Sequence, residues 1–388
     1  MKIFEPITIN GMQFKNRFMM AAMAIGPISL GNETKKQYVI DYYAERAKGG
    51  VAAIILGGVV INYLNPDEDL GQNIPPARYI KAMAQLAEGV KRNGAKFGVQ
   101  LFHTHQYPAG AWGRPTIPQE YAAPSPRIES NLHYMPPGTE LRALTIGEIE
   151  AIVDRFARAA EQVKQTGADF VEMHLAHGHL PNQFFSPVFN KRQDRYGGSL
   201  AGRMQFGLEC VRAIRRSVGQ NYPIFVRLGA VDENPKGITL TDSAIFAAEL
   251  EKAGANCLDV SVATNSMHSY INFQAPLKKR PMGVFVPLAE AIKKAVKIPV
   301  AAVGKLQDPL LAENVITSWK ADIIAIGRQL ITDPYWVQKV AEGRNNEICA
   351  CDSCNTWCYL KGPKGERPGQ LCRVSRRPGE ETEYLRRF

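Results

Sequence analysis

The chain has 388 residues, with 47 Lys and Arg against 37 Asp and Glu and a net charge of +10. Hydrophobic residues make up 45% and charged residues 22%, a balance that excludes a disordered polypeptide and fits a folded globular one. The length accommodates one large domain with an extension or two ordinary domains, and no apolar run approaches the roughly 20 residues of a membrane-spanning helix.

The N-terminus, Met1-Lys2-Ile3-Phe4-Glu5-Pro6, lacks the long apolar stretch of a signal peptide, so a soluble cytoplasmic protein without a membrane partner is expected. From there, short apolar runs alternate with amphipathic helical stretches. The predicted strands are Phe18–Met23, Ala52–Val60, Phe97–Phe102, Phe170–His174, Ile224–Leu228, Cys257–Val262, Val300–Val303 and Ile323–Ile326. Several are apolar throughout and rich in Val and Ile, the pattern of parallel strands buried on both faces. Thr145-x-x-Glu148 is a capping box ahead of the helical run Ile149–Val163. Glycines at Gly49-Gly50, Gly167 and Gly254 close helices just before the next strand. Eight strand–helix units in about 340 residues predict a (β/α)₈ TIM barrel. The competing doubly wound sheet lacks a Gly-x-Gly-x-x-Gly after an early strand. Residues 1–345 are read as the barrel and 346–388 as a Cys-rich extension. The stretch His103 to Arg142, rich in Pro, Gly and Tyr, reads as a long irregular insertion at the catalytic face, and with Ala263–Pro281 is expected to shape the pocket.

In such a barrel the C-terminal strand ends carry the site. Gln100, with His103 and His105, lies at the third of them. Glu172-Met173-His174 closes the fourth, followed by His177-Gly178-His179. Arg227 lies at the fifth, Gly304 at the seventh, and Gly327-Arg328 at the eighth. The set suits a flavin phosphate: glycines admit backbone N–H groups, and Arg328 adds a fork of donors. Gln100 can both give and take hydrogen bonds at a pyrimidine-like edge, and Arg227 would stabilise an electron-rich reduced ring. Each also has an ordinary alternative as a salt-bridge arginine or a turn glycine.

Over nearly all of residues 1–345 the sequence resembles the old yellow enzyme family of FMN-dependent barrels. The matching pieces are Phe4-Glu5-Pro6 with Lys15-Asn16-Arg17, His174-x-x-His177-Gly178, and Asn182-Gln183-Phe184-Phe185-Ser186-Pro187. Next come Asn190-Lys191-Arg192-x-Asp194-x-Tyr196-Gly197-Gly198-Ser199-Leu200 and Ala325-Ile326-Gly327-Arg328. The resemblance implies non-covalent FMN and hydride transfer from its N5. It implies FMN contacts at Ala21, Ala22, Met23, Gly58, Gln100, Arg227, Gly304, Gly327 and Arg328. His174 and His177 match the pair that hydrogen-bonds the oxygen of an α,β-unsaturated substrate. Two positions depart from the family. The usual proton-donor Tyr is His179, and Ala24 stands where a Thr or Cys commonly meets the flavin. An imidazolium can donate a proton, with an unperturbed pKa near ~6.5 against ~10 for tyrosine. His179 therefore reads as that donor or as a packed loop residue. His174-x-x-His177-x-His179 can also be read as a metal triad.

Of seven cysteines, Cys210 and Cys257 stand in apolar segments and read as buried thiols. The rest cluster between Cys349 and Cys372, which in a cytoplasmic chain points to metal rather than disulfides. Cys351-x₂-Cys354-x₃-Cys358 with Cys372 supplies the four thiolates of a [4Fe–4S] cluster, with Cys349 left outside the set. Four thiolates also suit zinc. The spacing resembles the cluster segment of the 2,4-dienoyl-CoA reductase and 2-enoate reductase branch, although the interval before Cys372 is long and no Asn-Pro follows it.

That resemblance implies reduction of an activated C=C bond in a small unsaturated substrate, with electrons arriving through the cluster. Longer members continue into FAD and NAD(P)H domains, so the chain reads as a short form served by a separate redox partner or as part of a longer enzyme. A homo-oligomer is compatible with it. One alternative is an amine dehydrogenase of the trimethylamine dehydrogenase type, although the first cysteine, Cys210, falls too late for that branch's covalent flavin link. A dihydrouridine synthase-like, RNA-modifying flavin barrel is another. Against it, Arg373, Arg376, Arg377, Arg386 and Arg387 are partly offset by Glu380, Glu381 and Glu383, and no basic stripe is visible, so no nucleic-acid partner is expected.

Overall fold

The computed structural model describes residues 1–23, 33–64, 76–103, 122–129, 138–232, 234–263, 280–354 and 372. Eight parallel strands close into a barrel: β3 (Phe18–Met23), β4 (Ala53–Val60), β5 (Lys96–Phe102), β9 (Phe170–Leu175), β10 (Ile224–Gly229), β11 (Cys257–Ser261), β12 (Val300–Ala302) and β13 (Ile323–Ile326), with β13 returning to β3. The (β/α)₈ expectation holds, and each predicted strand is found with its ends shifted by at most one residue. The strands are buried on both faces because helices cover them outside and side chains fill them inside.

The covering helices are α1 (Glu33–Lys48), α2 (Pro76–Arg92), α3 (Ile146–Gln165), α4 (Leu180–Phe185), α5 (Leu200–Val218), α6 (Leu240–Ala253), α7 (Val286–Ala295), α8 (Pro309–Thr317), α9 (Arg328–Thr332) and α10 (Trp336–Ala341). The capping box forms as read. Glu148 N donates to Thr145 Oγ1 at 3.3 Å, and Thr145 N donates back to Glu148 Oε2 at 2.7 Å. Gly254 closes α6 in the left-handed conformation, φ 112°.

Two features were not legible in the sequence. An antiparallel hairpin, β1 (Ile7–Ile9) with β2 (Met12–Phe14), stops the N-terminal end of the barrel. Phe14 packs on Phe170 and Phe225, whose ring centroids are 4.4 Å apart, over an interior of Met19, Ala21, Ala53, Ile55, Cys257, Ala301, Ile323 and Ala325. The stretch expected to be irregular contains a small sheet of β6 (Ala122–Ala123), β7 (Arg127–Glu129) and β8 (Thr139–Ala143). Arg192 Nη1 holds it to the barrel through Pro124 O at 2.8 Å and Leu144 O at 2.7 Å. Asn190 Nδ2 donates to Phe184 O and Tyr196 O, each at 2.7 Å. Much of the motif from Asn190 to Leu200 is thus scaffold. No described helix is long and apolar enough to cross a membrane.

Gly98 shows how tightly the floor is filled. A Cβ there would lie 2.3 Å from the ring of Phe170, which is itself wedged against Phe14 and Phe225. Gly98→Ala is expected to cost about 1–3 kcal/mol by overpacking, read as a lower midpoint in thermal or urea denaturation.

Candidate active site

Strand alternation turns Gln100, Glu172, His174, Arg227, Asp259 and Ser261 into the C-terminal half of the barrel, above the phenylalanine floor. All six are buried. Gln100 Nε2 donates to Glu172 Oε1 at 2.7 Å, and Arg227 Nη1 is paired with Asp259 Oδ2. Two carboxylates thus share one guanidinium. Burial raises both above the usual carboxylate range. Glu172 is pushed up to about 8, first by burial and then by repulsion from Asp259. Arg227 bonds directly to Asp259, so Asp259 keeps the charge and Glu172 the proton.

The histidines converge because the chain turns sharply after β9. His177 (φ 59°) and Gly178 (φ 76°) are consecutive left-handed residues, a strained choice for a histidine. Gly178 N donates to Asn182 Oδ1 at 2.9 Å and Gln183 Nε2 donates to Gly178 O at 2.6 Å, which hold the turn against α4. His174 lies 5.0 Å from His177, ring to ring and nearly perpendicular, and 4.4 Å from His179. His179 starts α4 without a side-chain cap and packs edge-on against Phe102 at 5.0 Å. His177 Nε2 and Ser261 Oγ are 2.9 Å apart. Desolvation holds both His174 and His177 well below the usual imidazole value, with the neighbouring histidines and Arg227 adding to it. They are neutral donors and acceptors rather than cations. The metal-triad reading gains nothing, since among the described residues no group of three or more His, Cys, Asp or Glu side chains is placed to hold a metal.

The other predicted positions surround the same mouth. Ala21 is buried and Ala22 and Met23 half-buried at the end of β3. Beside them β4 bulges, with Gly58 at φ 71° and Gly57 so close that a Cβ would meet Met23 N at 2.7 Å. Gly304, at φ 113°, also needs to be glycine because a Cβ would press on Phe285 at 2.7 Å. At Gly327 a Cβ would find only Met23 Sδ, at 3.5 Å, so the space over it is open. Half-buried Arg328 follows as the first residue of α9. Ala24 and His105 lie outside the described residues.

These groups fit a flavin. A ring of buried polar side chains faces an open strand-end glycine, and among the described residues His174 Nδ1 and Asp259 Oδ1 have no protein partner. Glu172 and Asp259 were missed as site residues by sequence reasoning. The available signal was a carboxylate at an inward position of an otherwise apolar strand.

The cysteine segment docks on α9. Gln329 Nε2 donates to Cys349 O at 2.9 Å, and Gln329 Oε1 accepts from Cys351 N at 2.8 Å. Asp333 Oδ2 accepts from Cys349 N at 3.0 Å, and Thr332 Oγ1 lies 3.2 Å from Cys372 Sγ. Cys354 is half-buried, and Cys358 lies outside the described residues. The described thiols do not form a metal cage by themselves. Cys210 and Cys257 are buried, as expected.

Residues 2–347 match the model of the NADH:flavin oxidoreductase / NADH oxidase family. The chain belongs to that family. Its resemblance to the old yellow enzymes, a family of FMN-dependent barrels, is thereby borne out. It is 39% identical to an NADH oxidase of Thermoanaerobacter brockii over 98% of this chain and 57% of that protein. It is 31% identical to a cinnamate reductase of Clostridium sporogenes over 98% of this chain and 58% of that protein. Among solved structures, a 2-naphthoyl-CoA reductase in complex with 2-naphthoyl-CoA matches with a TM-score of 0.82 and 28% identity. It covers 99% of this chain and 58% of its own. The chain thus spans little more than half the length of these relatives.

For His174 and His177 the folded pKa lies below the unfolded value of 6.5. Below that pH the unfolded chain takes up protons that the folded one refuses, so stability is full above pH 6.5 and falls as pH drops. Each histidine contributes up to about 1.4 kcal/mol per pH unit. Urea denaturation at pH 7.5 and 5.5 is expected to show a smaller acid penalty in His174→Asn/His177→Asn than in the wild type.

Proposed function

We propose that the protein reduces the activated C=C bond of an enoate, enone or enoyl thioester. The observation that carries this reading is the neutral imidazole pair of buried His174 and half-buried His177 beside Arg227. Ala21, Ala22, Met23, Gly58, Gln100, Arg227, Gly304, Gly327 and Arg328 would hold FMN, which when bound would supply the hydride for the β-carbon. His174 and His177 donate hydrogen bonds to the substrate's carbonyl or carboxylate oxygen. A neutral donor stabilises the charge that gathers on that oxygen without surrendering its proton. Ser261 Oγ, 2.9 Å from His177 Nε2, holds the His177 ring in place. The proton that completes the saturated product goes to the α-carbon from His179, edge-on to Phe102 and next to His174. Similarity to a cinnamate reductase and a 2-naphthoyl-CoA reductase supports an unsaturated acid or thioester as substrate.

The test is single-turnover kinetics of the reduced protein. His177→Ala is expected to lower the oxidative half-reaction about 10²–10³-fold. His179→Phe should lower it about 10²–10⁴-fold at unchanged FMN content. Undiminished turnover in His179→Phe removes that residue from the chemistry. Flavin reduction by a simple amine, with no oxidation by an enoate, overturns the reading in favour of an amine dehydrogenase.

The proposal includes a [4Fe–4S] cluster on Cys351, Cys354, Cys358 and Cys372 and electron supply from a separate redox partner or from further domains of a longer chain. Its support is the C-x₂-C-x₃-C spacing and the grip of α9 on the segment. Anaerobically purified protein is expected to contain four iron and four acid-labile sulfide per chain, both lost in Cys351→Ser. Stoichiometric zinc would contradict it.

A further inference from the structure

Glu172 takes no part in the chemistry above, yet it sits at the centre of the polar layer. It is fully buried, faces Gln100 across the β5–β9 register, and accepts from Gln100 Nε2 at 2.7 Å. Its Oε2 has no hydrogen-bond partner among the described residues. The groups facing it are Gln100 from β5, Arg227 from β10, Asp259 and the Cys257 thiol from β11, and His174 from its own strand, with His177 and His179 above. The interior positions of β3, β4, β12 and β13 that close the circle are apolar: Met19, Ala21, Ala53, Ile55, Ala301, Ile323 and Ala325.

We propose that Glu172 is a positioning residue for the flavin: by accepting from Gln100 Nε2 it fixes the Gln100 amide, leaving Oε1 to accept from the imide N–H of the flavin's pyrimidine edge. A glutamine amide is nearly symmetric in shape, and its orientation is decided by its hydrogen-bond partners. Glu172 Oε1 accepts from the amide in either charge state, because the proton of the neutral form then sits on Oε2, and an acceptor beneath the amide selects one orientation. A second amide would not, because the side chain introduced by Glu172→Gln could donate to Gln100 Oε1 and turn the NH₂ group toward the ring. The inference rests on the flavin placement proposed above.

Glu172 also brings a pH signature. Protonated at neutral pH, it ionises near pH 8 and then adds a negative charge beneath a ring that must accept electrons. Reduction becomes harder above that pH. The neighbours do not mimic this step. His174 and His177 are already neutral there, Arg227 stays cationic and Asp259 anionic, and burial raises the Cys257 thiol well above its usual value.

The experiment compares the FMN-bound wild type with Glu172→Gln, Gln100→Leu and the double variant. The readouts are the FMN dissociation constant and the flavin midpoint potential from pH 6.5 to 9. Gln100→Leu is expected to weaken FMN about tenfold. Glu172→Gln should weaken it several-fold, and the double variant no more than Gln100→Leu. The wild-type potential should bend downward near pH 8, and Glu172→Gln should lose the bend. Wild-type affinity and an intact bend in Glu172→Gln overturn the inference, as do additive losses in the double variant. If Gln100→Leu itself leaves FMN affinity unchanged, the flavin placement has failed and the inference falls with it. The wild type alone supplies a check independent of any variant's folding. A downward bend in its potential near pH 8 should coincide with loss of a protonated-carboxyl infrared band, and a bend without that loss overturns the assignment of the bend to Glu172.

Discussion

Inside the barrel one guanidinium serves two carboxylates, both fully buried, where charge is poorly screened. Arg227 is committed to Asp259, which leaves Glu172 facing a negative neighbour with, among the described residues, only the Gln100 amide to bind it. An unpaired ionised carboxylate at that depth costs several kcal/mol, so the layer settles at neutrality by retaining a proton. The groups above inherit its field. His174 and His177 lie near a fixed cation in a desolvated pocket and stay uncharged, as a hydrogen-bond donor to a substrate oxygen must.

The polar layer depends in turn on the floor beneath it. The N-terminal hairpin presses Phe14 onto Phe170 and Phe225 and fills the lower barrel with hydrocarbon. Side chains one pleat higher must then satisfy one another or whatever binds at the mouth. The mouth is shaped by irregular backbone: the β4 bulge at Gly57 and Gly58, and the left-handed pair His177–Gly178, which folds three imidazoles into one cluster. Strain at His177 is held by α4 through Asn182 and Gln183. The Asn190–Arg192 network supports α4 and the small sheet over it.

At the far side of the mouth, α9 joins two sites. Its first residue, Arg328, follows the open glycine Gly327, while Gln329, Thr332 and the adjacent Asp333 carry the cysteine segment. One short helix thus places the candidate phosphate contact and the candidate cluster segment on a single rigid element. Local change at either end is expected to be felt at the other.

The eight parallel strands were readable in the sequence because burial on both faces leaves uninterrupted Val- and Ile-rich runs, and the helix ends because capping chemistry is local. Residue positions at the strand ends, from Gln100 and His174 to Arg227 and Arg328, followed from the barrel rule once the strands were placed. The hairpin plug, the small sheet within the long insertion and the docking of the cysteines on α9 were not readable, since each is stabilised by partners far away in the chain. The roles of Glu172 and Asp259 were decided by tertiary structure alone. Sequence shows a carboxylate at an inward position. Only the closed barrel shows that two of them meet a single arginine, and that shortage of positive charge determines which one keeps its proton.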